Sequence, residues 1–422
     1  MHVWLIQIGE PLPSDPGNPR LLRTGLLASE LARRGHRVTW WATTFRHSSK
    51  THRSDCDTVI TVSPRYRLML MHSPGYSSNV SLARFRDHRA LGRRFREWAC
   101  QEDTPDLIHC GFPTIELAYE VALYAGERRL PWVIDARDMW PDIYVEAVPS
   151  FIRPVARRLL RSDFDMTREA FRRASAITAH APGFVEWGLD YADRSRRTMD
   201  RDFPFAYPIH PPTAEEVAGA ERFWIEKGLT GVANEFVICF FGTFTERKEL
   251  DVETVLRTAR ELRQQLPQVK FVLCGTGPAE ARYIALAAEL GNVLFPGWVD
   301  YPQIWTLMRR AKVGILPYLP SADFIASMPN KSIEYLSAGL PVLTCLRGGY
   351  LQTVLEEGGC GIFYHGETPG SLKEAIQHLV SDRGGLQTRR SAAARLFEQR
   401  FREDRVYSQM VDHLELMQSS DA

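Results

Sequence analysis

The chain has 422 residues, of which 44% are hydrophobic and 24% charged, so global disorder is excluded and two or three domains are expected. The formal net charge of +1 indicates neither a nucleic-acid-binding protein nor an acidic tail. The seven cysteines are scattered without a C-x-x-C pair, which excludes a disulfide framework and a zinc knuckle and fits a reducing cytosol.

The first half of the chain alternates short apolar runs with amphipathic helices. Residues 3–8 predict a buried strand rather than a signal peptide, because the run is short and no basic segment precedes it. A helix over 21–34 and a strand over 38–42 complete a βαβ unit. Further strands are predicted over 107–109, 132–134 and 176–179, with a helix over 114–126. Repeated βαβ units indicate a doubly wound parallel sheet.

Residues 190–234 interrupt this rhythm, and their prolines predict an extended linker with a short helix over 213–227. A second α/β half follows. Its predicted strands are 236–241, 271–274, 293–295, 313–316 and 341–344, and its predicted helices are 251–265, 279–290, 301–310 and 331–338. One or two helices are predicted over 391–417. The expected organisation is a domain over 1–207, a linker over 208–235, a domain over 236–390 and a helical segment over 391–422. A cleft between two such domains suits two substrates.

Two strand ends in the second half carry candidate ligand contacts. Gly242 ends the first strand and lets backbone approach a ligand, while Arg247 and Lys248 precede a helix and can hold phosphate oxygens. A solvated charged turn explains the same residues equally well. Gly275 and Gly277 end the next strand as G-x-G, which predicts a tight turn or a close ligand approach but gives weak support to a dinucleotide cofactor.

The most informative segment is 327–342, which predicts a loop, a helix starting near Asn330, a stop at Gly339 and a strand. Free backbone N–H groups at a helix start suit a diphosphate, and Lys331 adds a positive charge. Glu334 lies one turn into the helix, where it can accept hydrogen bonds from a ribose diol. The alternative is an ordinary capped helix with an acid near its start.

Taken together, these motifs resemble the donor-binding domain of glycosyltransferase family 4. The resemblance runs through Phe241-Gly242 to Lys248, then 272–278, 293–299 and 329–342. Residues 135–142 are similar to the Asp-x-Arg-Asp-x-Trp-Pro stretch of a branch that builds bacterial surface polysaccharides. The resemblance implies an α/β chain of the GT-B fold, with two Rossmann-like doubly wound domains facing a cleft and a C-terminal helix returning to the N-terminal domain.

The resemblance also implies roles for individual residues. The catalytic group would comprise Lys248, Arg247, Arg137 and Asp138, with Lys248 on the donor diphosphate. The donor-binding group would comprise Gly9, Gly242, Thr243, Gly275, Gly277, Gly297, Trp298, Val299, Asn330, Lys331, Ser332 and Glu334. Within it, Glu334 would bind the ribose, the loop at 297–299 would meet the base, and Gly9 would lie against the reaction centre.

Three positions depart from the family pattern. Thr243 stands where an arginine is usual, and Arg247 is a candidate substitute. Ala326 replaces the first glutamate of the usual Glu-x7-Glu, with Asp323 as the nearest acid. The histidine often found after the strand near 132–136 is absent, and Arg137 with Asp138 stands in its place.

The implied reaction is a retaining transfer that needs no protein nucleophile. The acceptor hydroxyl attacks on the face from which the diphosphate leaves, and a phosphate oxygen takes its proton. The protein then positions the substrates and stabilises charge on the leaving group. No cofactor is expected and a metal is not required. The expected donor is a UDP-sugar, with GDP as the alternative nucleotide, and the expected acceptor is a glycan or a lipid-linked glycan.

Two arginine-rich runs, 84–96 and 153–161, mix cations with apolar residues at helical spacing. Such a pattern favours peripheral contact with an anionic membrane, here on the inner face of the cytoplasmic membrane. Two ordinary surface helices with apolar stripes facing the core explain it equally well. No RNA-binding motif accompanies the arginines, so no nucleic-acid partner is expected.

Two other functions remain compatible with the sequence. One is a non-catalytic nucleotide-sugar-binding member of the family, which would also retain Lys248 and Glu334. The other is a GT-B sugar-nucleotide epimerase, which would turn over the donor without an acceptor.

Overall fold

The computed structural model describes residues 1–17, 19–78, 81–207, 210–230, 235–246 and 250–420. The chain divides into two compact units. Met1–Pro204 and Asp404–Ala422 form the first, and Phe205–Glu403 forms the second. Among the described residues, no helix is both long and apolar enough to cross a membrane.

The first unit is built around one large sheet. Its elements are β1 (His2–Ile6), α1 (Arg23–Arg33), β2 (Arg37–Thr43), β3 (Phe45–Arg46), β4 (Thr51–His52), β5 (Thr58–Ser63), β6 (Tyr66–Met71), α2 (Leu82–Ala99), β7 (Leu107–Phe112), α3 (Ile115–Arg128), β8 (Trp132–Ala136), α4 (Asp142–Glu146), α5 (Arg153–Leu159), α6 (Arg161–Arg173), β9 (Ala176–Ala179), α7 (Pro182–Ala192) and β10 (Arg201–Asp202). The strand order is β10-β9-β8-β7-β1-β2-β6-β5, and neighbours are parallel except for the β5–β6 hairpin. Every residue of β1, β7 and β8 is buried, as expected for strands covered on both faces.

The second unit has a smaller, fully parallel sheet. Its elements are α8 (Ala214–Glu226), β11 (Phe236–Phe241), α9 (Val252–Gln265), β12 (Val269–Cys274), α10 (Glu280–Leu286), β13 (Val293–Leu294), α11 (Tyr301–Arg310), β14 (Val313–Leu316), α12 (Ala322–Ala326), α13 (Asn330–Ser337), β15 (Val342–Thr344), α14 (Tyr350–Glu357), β16 (Gly361–Phe363), α15 (Ser371–Ser381) and α16 (Arg383–Arg400). The strand order is β13-β12-β11-β14-β15-β16. The predicted pair of doubly wound α/β domains is therefore confirmed.

A last helix, α17 (Glu403–Ser420), belongs to the first unit. Arg34 donates to Asp412 at 2.6 Å, and His36 Nε2 lies 2.7 Å from Glu415. The predicted return of a C-terminal helix to the N-terminal domain is thus confirmed. The helical segment predicted over 391–417 is two helices, because the helix is interrupted between Arg400, the end of α16, and Glu403, the start of α17.

Within the range 208–235, which the sequence predicts to be a linker, the structure describes residues 210–230 and 235. The short helix is present as α8, and Thr213 and Glu216 close its start as a capping box. Trp224 on this helix is fully buried, and its Nε1 donates to the carbonyl of Gln303 at 2.9 Å. Burying so large a side chain makes α8 part of the core of the second unit. The prolines gave no sign of this packing.

The strand order reverses once in each sheet. In the first sheet, successive strands run outward from β1 on one side and from β7 on the other; in the second, the reversal lies between β11 and β14. Ligands of open α/β sheets bind outside the carboxyl ends of the strands at such reversals. Ligand-binding sites are therefore expected at these two sheet edges.

Candidate functional site

A cavity of about 210 Å³ lies at the carboxyl edge of the first sheet. The residues after β1 form one wall of it, Pro113 and Thr114 after β7 form another, and Asp138 and Trp140 after β8 close it. The cavity therefore sits at the strand-order reversal, where the topology predicts a ligand.

Gly9, which the resemblance predicts to lie against the reaction centre, lines this cavity. Its φ of +84° lies in the left-handed region that favours glycine. A Cβ added at Gly9 would meet nothing within 4 Å, so the backbone here is open to whatever occupies the cavity.

Arg137 lies beside the cavity within a buried ion-pair network. Its guanidinium pairs with Glu10, donates to Asp135 at 2.7 Å and donates to Thr24 Oγ1 at 3.0 Å. Arg23 binds the other side of Asp135 with bonds of 2.8 and 2.9 Å. Burial raises the pKa of Asp135, but the charges of Arg23 and Arg137 outweigh it and hold this pKa well below its usual value. The network fixes Glu10, which lines the cavity.

Asp138 contributes a carboxylate to the cavity wall. It accepts hydrogen bonds from the backbone N–H of Met139 at 2.9 Å and from Trp140 Nε1 at 3.0 Å. The structure thus brings Gly9, Arg137 and Asp138 to one edge of the first sheet. Their roles in catalysis and donor binding stay predictions.

The aromatic and histidine side of the cavity was not predicted from the sequence. The Arg84 guanidinium lies 4.6 Å from the ring of Trp140 and 5.6 Å from the ring of Tyr76. His88 stacks on Trp140 with ring centroids 5.9 Å apart. Arg84 and His88 are one turn apart on α2, and this spacing is the sequence signal that places both on one face of the helix. The arginines around them give the segment the pattern of a membrane-binding helix instead.

The buried carboxyl group of Glu116 lies next to the His88 ring. Glu116 Oε2 lies 3.8 Å from His88 Nδ1, and Oε1 of Glu116 has no hydrogen-bond partner among the described residues. Burial raises the pKa of Glu116 to about 7, and burial lowers the pKa of His88 to about 3. Near neutral pH the histidine is therefore neutral, while the carboxyl is close to its midpoint.

We expect Glu116 to make folding stability depend on pH. Its folded pKa of about 7 exceeds the usual 4.5, so the folded chain keeps a proton that the unfolded chain releases between these values. The stabilisation of the folded chain by this retained proton is complete below pH 4.5 and is lost as the pH rises to about 7. The difference in free energy of unfolding between wild type and Glu116→Gln should fall by up to about 3 kcal/mol across this window.

The measurement is urea denaturation of both proteins across the pH range, with the exposed Glu146→Gln as the matched control. A wild-type minus Glu116→Gln difference that stays constant with pH would show that Glu116 titrates normally.

In the second unit, four predicted glycines converge at the carboxyl ends of β11 and β12. A Cβ on Gly275 would lie 1.8 Å from the carbonyl oxygen of Gly242, and one on Gly277 would lie 2.4 Å from that of Phe244. The N–H of Gly275 donates to the carbonyl of Gly297 at 2.8 Å. Backbone packed this closely leaves no room for side chains and forms a surface on which a ligand can approach main-chain atoms.

Helix α13 brings the remaining predicted donor contacts to this edge. A Cβ on Gly242 would lie 2.6 Å from Lys331 Cε, so the lysine stem crosses directly over this glycine. Glu334 follows on the same helix and is 9% exposed. Asn330 is the first helical residue. Ser332 is fully buried, and its hydroxyl donates to the carbonyl of Pro329, so its side chain serves the start of the helix.

The loop at 297–299 presents two unlike side chains. Trp298 is 72% exposed, whereas Val299 is buried in the core. Gly297 has a φ of +83°. Thr243, after the strand-end glycine, is exposed. Apart from Gly9, which lies in the first unit, the described members of the predicted donor-binding group thus lie near this edge of the second unit.

Some predicted contacts cannot be placed. Arg247 and Lys248 lie outside the described residues, and so does the side chain of Asp323. In the described part of the chain, no three His, Cys, Asp or Glu side chains form a group that could hold a metal ion. The expectations that no cofactor and no metal are required stay predictions.

Two family models match the chain. Residues 22–188 match the glycosyl transferase 4-like domain, and residues 235–382 match glycosyl transferases group 1. A search of curated protein sequences gave no match. The two matched ranges fall within the first and the second unit respectively.

Solved structures share the architecture over nearly the whole chain. Sucrose-phosphate synthase from Thermosynechococcus elongatus superposes with a TM-score of 0.72 at 18% identity, covering 99% of both chains. HepE from Anabaena, solved in complex with UDP-glucose, has a TM-score of 0.63 at 17% identity and covers 98% of this chain and 99% of its own. WaaG, a glycosyltransferase involved in lipopolysaccharide biosynthesis, has a TM-score of 0.64 at 14% identity with the same coverage. At these identities the likeness establishes the fold.

Proposed function

We propose that this chain, a glycosyltransferase of the GT-B fold, transfers a sugar from a UDP-sugar to a glycan or lipid-linked acceptor with retention of anomeric configuration. The observation that carries the proposal is the edge of the second unit, where crowded glycine backbone meets Lys331 and Glu334 at the strand-order reversal. Crowded backbone, a cation and a carboxylate are what a diphosphate joined to a ribose needs.

The donor assignment follows from the chemistry of that edge. Lys331 supplies positive charge for the diphosphate, with Lys248 and Arg247 added by the resemblance. Glu334 accepts hydrogen bonds from the ribose diol, and the backbone of 297–299 meets the base. The complex of HepE with UDP-glucose supports uracil as the base and a hexose as the sugar.

The acceptor assignment rests on the cavity of the first unit. Thr114 Oγ1 and Gln7 Oε1 are buried there without hydrogen-bond partners among the described residues. Asp87 and Asp138 add carboxylates, and Tyr76 and Trp140 add aromatic rings. Unmet polar atoms beside aromatic rings suit a sugar with several hydroxyl groups, because each hydroxyl can donate and accept.

The proposed reaction breaks the bond between the anomeric carbon and the diphosphate and forms one to the acceptor oxygen on the same face. The acceptor proton passes to a diphosphate oxygen, so no protein nucleophile is consumed. Lys331 stabilises the charge that develops on the leaving group. The pathway we propose is surface polysaccharide synthesis, supported by the stretch at 135–142 and by the fold shared with WaaG.

We expect Glu334→Gln to weaken UDP binding by about tenfold to a hundredfold, because hydrogen bonds to a charged acceptor contribute about 1.5–3 kcal/mol. The measurement is a calorimetric titration with UDP, GDP and their sugars. Glu289→Gln, an exposed change in the same unit, is the matched control. Equal affinities for UDP in the wild type, Glu334→Gln and Glu289→Gln would show that the donor does not bind at this edge.

Turnover then separates the remaining functions. Transfer with retention, read from the anomeric coupling of the product by NMR, supports the proposal. Conversion of the UDP-sugar without an acceptor would identify an epimerase instead. Tight UDP binding without turnover across a panel of glycan acceptors would favour a non-catalytic binding protein.

A further inference from the structure

A short segment of the first unit exposes an unusual concentration of large apolar side chains. Phe151 is 78% exposed, Val155 57% and Leu159 80%, and Ile152 is also exposed. Helix α5, which carries two of these residues, has no buried residue. Exposed apolar clusters of this kind mark interaction surfaces, since water solvates them poorly.

The same segment is strongly cationic. Residues 149–161 contain Arg153, Arg157, Arg158 and Arg161 and no acidic residue. The described ion pairs of these arginines are long, with Arg157 3.6 Å from Asp142 and Arg161 3.7 Å from Asp165. Their side chains are 64% and 84% exposed, so most of this charge faces solvent.

We propose that residues 149–161, here called the docking patch, bind the surface of an anionic lipid bilayer. The arginines would pair with lipid phosphates, and the apolar side chains would enter the boundary between headgroups and acyl chains. This proposal goes beyond the glycosyl transfer and does not depend on it.

The shape of the patch favours a bilayer over a folded partner. A protein partner must supply a preformed pocket for each protruding side chain, whereas lipids rearrange around them. No residue of α5 is buried, and even Ala156 on it is partly exposed. Lipid phosphates also supply the negative charge that the segment lacks.

The other arginine-rich run offers a contrast within the same unit. On α2, Leu91 and Phe95 are fully buried, so its apolar stripe faces the core. Arg94 pairs with Asp57, and Arg96 pairs with Glu127. Helix α2 therefore presents charge without a row of apolar anchors, which makes it the matched control for the docking patch.

The test is flotation of the full chain with vesicles of equimolar phosphatidylglycerol and phosphatidylcholine, and with phosphatidylcholine alone. We expect binding to the anionic vesicles only, weakening as salt rises. Phe151→Ser with Leu159→Ser, and separately Arg157→Gln with Arg158→Gln, should each weaken binding by about tenfold or more. Arg86→Gln with Arg93→Gln, two exposed arginines on α2, should leave binding within about twofold.

Several results would overturn the proposal. They are no binding by the wild type, equal binding to neutral vesicles, equal loss in the α2 control, or self-association of the chain that both patch variants abolish. UDP titration of each variant reports on the donor site separately. Failure of vesicle binding with intact UDP binding would therefore refute the docking patch alone.

Discussion

Replacing Asp135 with asparagine should destabilise the first unit by about 3–5 kcal/mol. Asp135 is fully buried and forms ion pairs with two arginines, whose side chains are 2% and 11% exposed. Asparagine keeps the size of the side chain but removes the charge, so Glu10 alone would balance the two buried guanidinium groups of Arg23 and Arg137. Glu10, held by Arg137, would also lose its orientation in the cavity wall.

Urea denaturation followed by circular dichroism measures this loss. Asp165→Asn is the control, since Asp165 pairs with Arg168 at the surface and both side chains are more than half exposed. That change should cost less than about 1 kcal/mol. A similar small cost for both variants would mean that the buried network contributes little to stability.

Gly275→Ala should disrupt the donor edge of the second unit and cost at least about 3 kcal/mol of stability. The added Cβ would lie 1.8 Å from the carbonyl oxygen of Gly242, which is backbone and cannot turn aside. The φ of +145° also lies in the region that only glycine adopts readily. The loops after β11 and β12 would have to separate, and this movement would disrupt the surface proposed to bind the diphosphate.

The readouts are the urea midpoint and UDP affinity by calorimetry. Gly291→Ala is the control, because a Cβ there meets nothing within 4 Å and the backbone has no positive φ. We expect UDP binding to be lost in Gly275→Ala and unchanged in Gly291→Ala. Retained UDP affinity in Gly275→Ala would show that this loop is not part of the donor site.

The glycine-rich edge of the second unit could be predicted from the sequence because its signals are local. A glycine after an apolar run marks the end of a strand, as at Gly242 and Gly275, and a doubly wound topology brings such ends to one edge. The spacing from Lys331 to Glu334 places both within the first turns of one helix. Local patterns and topology were together sufficient there.

The first unit was harder because its contacts are distant in the chain. Arg23 and Asp135 are separated by 112 residues, and neither signals the other in the sequence. Arg84 belongs by composition to a basic run, yet it lies between two aromatic rings in a cavity. In the second unit, burial of Trp224 likewise depends on packing against α11, which no feature of the proline-rich segment reveals.

The place of α17 has a consequence for the order in which the chain is made. The first unit is closed by residues that follow the whole second unit in the chain, through contacts such as that of His36 with Glu415. At roughly 5–20 residues per second, a ribosome needs about 10 to 40 s to synthesise the intervening 205–403. During that time the surface that α17 covers is open to chaperones, and the domain that begins first is completed last.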